Sequence, residues 1–263
     1  MIDIGANLAH ETFAHDLDHV LTQAWDAGVQ AIVVTGSCMA SSRRALLLAQ
    51  AHPGRLYATA GLHPHHAAEW SPTCAANLGE LGAHEQVVSL GECGLDYFRD
   101  LAPRRAQRTA FVAQLELAVA LRKPVFLHQR DAHTDFVAVL REFRSALSAV
   151  CVHCFTDTAE AAQDYLALDC HIGITGWICD ERRGTHLLEV VRDIPAARLL
   201  VETDAPYLLP RNLPRALRPV DGRRNEPRFL PWVVAKIADA RGESADLVAS
   251  QTARNARAFF ALA

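Results

Sequence analysis

No stretch of this chain reaches the roughly 18 consecutive apolar residues that a membrane helix needs, so a spanning segment is not expected. The opening run, MIDIGANLAHETF, lacks a basic segment followed by a long apolar one, which leaves a secretory leader without support. Seven cysteines, an odd number scattered from Cys38 to Cys179, do not make a disulfide framework and fit free thiols in a reducing cytoplasm. A chain-wide basic surplus is missing too: Lys plus Arg total 26 against 30 Asp plus Glu, for a formal net charge of -4. Nonspecific wrapping of nucleic acid is thereby excluded, and any such contact must be local. With 50% hydrophobic and 21% charged residues the composition is globular, neither disordered nor collagen-like nor coiled-coil.

What is present is an alternation of short β-type runs with helical patterns from end to end, the mark of βα units on a parallel sheet. The strand candidates are Ile2 to Ile4, Ala31 to Thr35, Leu56 to Ala60, Val87 to Leu90, Pro124 to Leu127, Ala149 to Val152, His171 to Ile174 and Leu199 to Glu202. The clearest helix runs from Pro103 to Leu121, with Phe111, Leu115, Ala118 and Val119 on one face and Pro103 in its first turn. Eight such repeats in a chain of this length predict an α/β fold of the (β/α)8 TIM-barrel type, one hydrolase domain over residues 1–263. An open doubly wound sheet would more often carry a GxGxxG fingerprint, and none is found. The Pro- and Arg-rich segment from Tyr207 to Pro227 reads as a functional loop after the eighth strand.

Active sites of such barrels lie at the C-terminal ends of the strands, and here those ends are polar. Strand three runs into Gly61-Leu62-His63-Pro64-His65, strand four into Gly91-Glu92-Cys93-Gly94, strand five into His128, strand six into His153 and strand eight into Glu202-Thr203-Asp204. A lone histidine there is more often a hydrogen-bonded structural group than a ligand. Convergence from several strands favours the ligand reading, because neutral imidazoles and carboxylates are what divalent ions such as Zn and Mn take. Glu92, His128, His153 and Asp204 form the expected metal set, and Glu202, one layer below Asp204, is either an orienter of those ligands or a structural ion-pair residue. Cys151 and Cys154 form a C-x-x-C, but strand alternation turns them to opposite faces, so both are expected to pack. Arginines at 211, 215, 218, 223, 224 and 228, set against Asp221 and Glu226, and Arg130 beyond His128, are candidate phosphate contacts. Trp177 and Tyr207 are candidate stacking platforms, although rim packing is the commoner use of such aromatics.

The segments AGLHPHH (60–66), GECGLDYFRD (91–100), PVFLHQRDAH (124–133), VHCFTDT (152–158), IGITGWICDERRG (172–184) and VETDAPYLLPR (201–211) together resemble the TatD family of metal-dependent nucleases. The resemblance spans almost the whole chain. It implies a phosphodiester hydrolase with 3′-5′ exonuclease character on single-stranded DNA, RNA being an alternative substrate, in DNA repair or degradation. Matched by motif, Glu92, His128 and His153 would hold the metal, Asp204 would be the catalytic aspartate beside it, and His63 and His65 would approach the substrate phosphate. Many members begin with D-x-H-x-H, whereas this chain reads Asp3-Ile4-Gly5-Ala6-Asn7. One tightly held divalent cation is therefore expected, Mg2+ in function with Mn2+ or Zn2+ as alternatives, in a cytoplasmic monomer. The rival is another metal-dependent hydrolase on this scaffold, an amidohydrolase or an aminoacyl-tRNA deacylase. The only lysines, Lys123 and Lys236, end no strand and so offer no carboxylated bridge between two metals.

Overall fold

A computed structural model describes residues 1–219 and 222–262; Asp221 lies outside them. Eight strands pair in sequence order, every pairing parallel: β1 (Ile2–Ala6), β2 (Ala31–Val34), β3 (Leu56–Ala60), β4 (Val87–Asp96), β5 (Val125–Arg130), β6 (Val150–Val152), β7 (His171–Ile174) and β8 (Leu199–Val201). The seam between β8 and β1 is joined at its upper end, where the Asp204 N–H donates to the Gly5 carbonyl at 2.8 Å and the Asn7 N–H to Ala205 at 2.7 Å. The expected TIM barrel is the fold. No helix among the described residues is long and apolar enough to cross a membrane.

Period-two alternation divides the core in two. Ile2, Ile4, Ala31, Val33, Val88, Phe126, Cys151 and Leu200 form an apolar cluster closed below by Phe259 and Phe260 of the helix Ala245–Phe260. The alternate residues, Ile32, Val34, Val125, Leu127, Val150, Val152, Leu199 and Val201 among them, face the surrounding helices in a larger cluster. Burying both faces is what a parallel sheet requires.

The helix Arg104–Leu121 starts one residue later than expected, because Pro103 is extended (ψ 135) and precedes it. Phe111, Leu115 and Ala118 are fully buried, Val119 only partly. The same face buries two glutamines, whose amides grip the loops above the barrel. Gln114 accepts the Leu62 N–H at 2.7 Å and donates to the Leu62 carbonyl at 3.0 Å; Gln107 accepts the Asp96 N–H at 2.8 Å and donates to its carbonyl at 3.1 Å. One helix thus sets the height of both the His63 and the Asp96 segments.

Candidate metal centre

The inward columns of the barrel change character at their upper ends. Above Phe126 comes His128, above Cys151 comes His153, and above Leu200 come Glu202 and Asp204, each two residues on. On β4 the approach is made by glycine. A Cβ on Gly91 (φ +129) would stand 2.0 Å from the Phe126 carbonyl oxygen, and one on Gly94 (φ +147) 1.9 Å from that of His128. Only glycine allows β4 to lie this close to β5, and Glu92 is carried between them.

Glu92 Oε1 is the meeting point. It lies 2.9 Å from His153 Nε2, 3.1 Å from His128 Nδ1 and 3.3 Å from His63 Nε2. The far nitrogens of the first two rings each meet a carboxylate: His128 Nε2 is 3.2 Å from Asp96 Oδ2, and His153 Nδ1 is 3.3 Å from Glu202 Oε2. Such outer carboxylates orient metal-binding imidazoles and make them better donors. His63 differs, since its Nδ1 accepts the His65 N–H at 3.1 Å. A neutral ring so held carries its proton on Nε2, the state of a hydrogen-bond donor rather than of a metal ligand.

Asp96, in GLDYFRD, was not singled out in the sequence. It also lies 2.9 Å from His65 Nε2 and accepts the Arg99 N–H at 2.7 Å. Its position four residues after Glu92 on one strand, hence on the same face, was the available signal.

Burial alone would raise the Glu92 carboxyl, but the neighbouring His153 and His63 rings and the bonds from His128 and His153 hold it well below the ordinary range. Burial would likewise raise Asp96, and its bonds from His128 and His65 hold it down. Burial would lower His128 and His153, yet the carboxylates flanking each ring push both up. His63 is lowered to about 4 by burial, which outweighs Glu92. Burial pushes Asp204 up to about 8; the charge of His153 opposes this, while Glu92 and Glu202 add to it.

His63, His65, Glu92, His128, His153 and Asp204 line a 380 Å3 cavity with Asn7, Ser37, Arg99, Cys154 and Tyr207, while Asp96 and Glu202 stand behind it. Asp204 (φ +54) forms part of the wall and accepts the Asn7 amide at 3.0 Å. Among the described residues, His63, Glu92 and His128 are the group whose ligand atoms all lie within 4.8 Å of one another. Glu202 is fully buried; its Oε1 accepts the Cys154 N–H at 2.6 Å. Cys154 is not a packing residue: β6 ends at Val152, its backbone is left-handed (φ +45), and it joins the cavity wall. Cys151 does pack, inside the barrel.

Arg130 is absent from this wall. Its guanidinium donates to Thr156 Oγ1 at 2.6 Å and sits over the rings of Phe98 and Trp177. The described arginines of the long loop are absent from it as well, and several are engaged elsewhere: Arg211 with Glu181, Arg218 with the Leu213 carbonyl, Arg224 with Asp16 and Glu226, Arg228 with Glu226. The cavity's own arginine is Arg99. Of the two aromatics, Tyr207 lines the cavity, 51% exposed, and Trp177 does not.

A parallel barrel with imidazoles and carboxylates gathered at the C-terminal ends of its strands defines a metal-dependent hydrolase. The TatD related DNase family matches residues 2–261, and the chain belongs to that family, whose members hydrolyse phosphodiester bonds. Curated relatives named 3′-5′ ssDNA/RNA exonuclease TatD are 49% identical in Pantoea vagans, over 100% of both chains, and 50% identical in Erwinia billingiae, over 100% of this chain and 99% of the relative. Among solved structures, the TatD homolog YjjV of Escherichia coli is 29% identical with a TM-score of 0.90, covering 100% of this chain and 98% of its own. A hydrolase TatD family protein of Entamoeba histolytica is 25% identical with a TM-score of 0.88, over 98% and 97%.

Proposed function

We propose that this protein is a metal-dependent 3′-5′ exonuclease acting on single-stranded DNA, with RNA as a second substrate. The observation that carries the metal reading is Glu92 Oε1 flanked by two imidazoles, each backed by its own carboxylate. That donor set fits a divalent cation: Glu92, His128 and His153 would hold it, Asp204 facing it, and the nitrogen content suits Mn2+ or Zn2+ as well as the Mg2+ expected in function. The ion would supply Lewis-acid polarisation of the phosphoryl group.

The chain's own groups do the rest. Asp204, held by the Asn7 amide, is in its ionised form the base that takes the proton of the attacking water, and burial strengthens its hold on that proton. His63 donates from Nε2, and His65 and Arg99 complete the phosphate side of the cavity. Tyr207 offers a face to the terminal base.

The seam supports one tight ion per chain. A Cβ on Gly5 would stand 2.3 Å from Glu202 Oε2 and 2.9 Å from Phe126, so no imidazole fits there, and the Asn7 amide is committed to Asp204. The amidohydrolase reading loses its footing too. Lys123 Nζ donates to the His84 and Val87 carbonyls at the start of β4, and Lys236 lies in the helix Leu230–Arg241, both away from the cavity.

Strands labelled at one end or the other test the proposal. A 5′-labelled strand shortened stepwise, with a 3′-labelled strand losing its label at once as mononucleotide, is the expected result. Release of the 5′ label first, or internal cuts only, would overturn it.

A further inference from the structure

The metal cavity has a larger neighbour. A groove of 790 Å3, about twice the cavity's volume, runs between the segment after β1 and the segment after β8, and Tyr207 is a wall of both. His10 meets the Tyr207 ring edge-on at 6.0 Å, so an aromatic pair stands where the two spaces join.

The charge of the groove is nearly all internally committed. Asp16 accepts both terminal nitrogens of Arg224, at 2.6 and 3.0 Å, and Glu226 takes Arg224 at 2.8 Å and Arg228 at 2.9 Å. With both carboxylates occupied, Arg223 is left as an exposed cation without an ion pair or hydrogen bond among the described residues. A polyanion entering the groove would meet an available guanidinium and, among the described residues lining it, no carboxylate free of an ion pair.

The hollow beyond β7, of 450 Å3, contrasts with it. Its Arg183 is bound by Asp180 and stacked on Trp177, and its Arg211 is bound by Glu181. It shares no lining residue with the metal cavity. Arg223 borders this hollow as well, which makes Arg182, lining the hollow alone, the control.

We infer that the body of the substrate strand, on the 5′ side of the nucleotide being removed, leaves the metal cavity over Tyr207 and lies in the groove, its backbone phosphate held by Arg223. The inference rests on the nuclease reading and adds the strand's path to it.

The test is equilibrium binding of a fluorescent thymidine dodecamer to the full chain under chelation, so that nothing is cut, across a range of salt. Losing one phosphate contact on a single strand reduces the slope of log affinity against log salt by about 0.7. Arg223→Ala is expected to bind several-fold more weakly with that reduced slope, and Arg182→Ala to match wild type. In parallel, a dodecamer carrying a photoreactive 4-thiothymidine three nucleotides from its 3′ end should cross-link to His10, on the groove side of Tyr207. An unchanged slope in Arg223→Ala, cross-linking to the Trp177 segment instead, or no binding by wild type would each overturn the groove. If the binding results hold but no strand is ever cut, the nuclease reading fails and the groove stands.

Discussion

Glu202 reaches His153 from the layer beneath it, with Oε2 3.3 Å from Nδ1, while its other oxygen accepts the Cys154 N–H at 2.6 Å. The carboxylate therefore fixes both the orientation of the ring and the nitrogen that carries its proton, leaving Nε2 turned to Glu92. Asp96 does the same for His128 from the opposite side.

Glu202→Gln keeps an acceptor for Cys154 but gives up the charge behind His153. Metal affinity should fall roughly 10–100-fold, the usual cost of losing such an outer partner, with little change in the unfolding temperature of the chelated protein. Wild-type affinity in a calorimetric titration would remove Glu202 from the centre.

Asp204→Asn keeps the size of the side chain and removes its ability to accept a proton. It should retain the ion and lose roughly 10²–10⁴-fold in turnover. A variant that binds metal and cleaves at the wild-type rate would show that another group is the base.

If the ion binds as proposed, proton and metal would compete for His128 and His153. Both rings are held above the ordinary imidazole value because flanking carboxylates outweigh burial, so at low pH both stay charged and resist the ion. Affinity is expected to rise steadily with pH, with protons released on binding, in calorimetric titrations spanning the pH range over which the protein stays folded. Affinity that is flat or falls with pH would mean that these rings are not displaced by the ion.

Metal analysis after dialysis should find one tightly held divalent ion per chain. Gly5, whose Cβ position is taken by Glu202, leaves no imidazole for a second. Two equivalent tight ions would point to ligands other than these.

The number and order of the strands are legible because a barrel buries every strand and makes each a short apolar run; β3 and β7 fall on the residues expected, while β1 and β5 run on to Ala6 and Arg130. β4 extends to Asp96 rather than stopping at Leu90, since Gly91 and Gly94, which read as punctuation, are where β4 presses against β5. The positions of Glu92, His128, His153 and Asp204 followed from strand-end logic. Asp96 was hidden behind that early stop. Arg130 has the right parity to face inward, but its long side chain swings to Thr156 and Trp177, a choice made by neighbours distant in sequence. Cys154 departs from the packing expectation because alternation holds only within a strand, and β6 ends two residues earlier.

The most direct measurement is cleavage of end-labelled single-stranded DNA by chelated protein as Mg2+, Mn2+ or Zn2+ is added back, run beside Glu92→Gln, His128→Ala and His153→Ala. Wild type should be silent under chelation and regain stepwise 3′-end removal with metal, while each variant stays folded and inactive. Cleavage that survives chelation, or that any of the three variants performs at the wild-type rate, would contradict a metal centre built on Glu92.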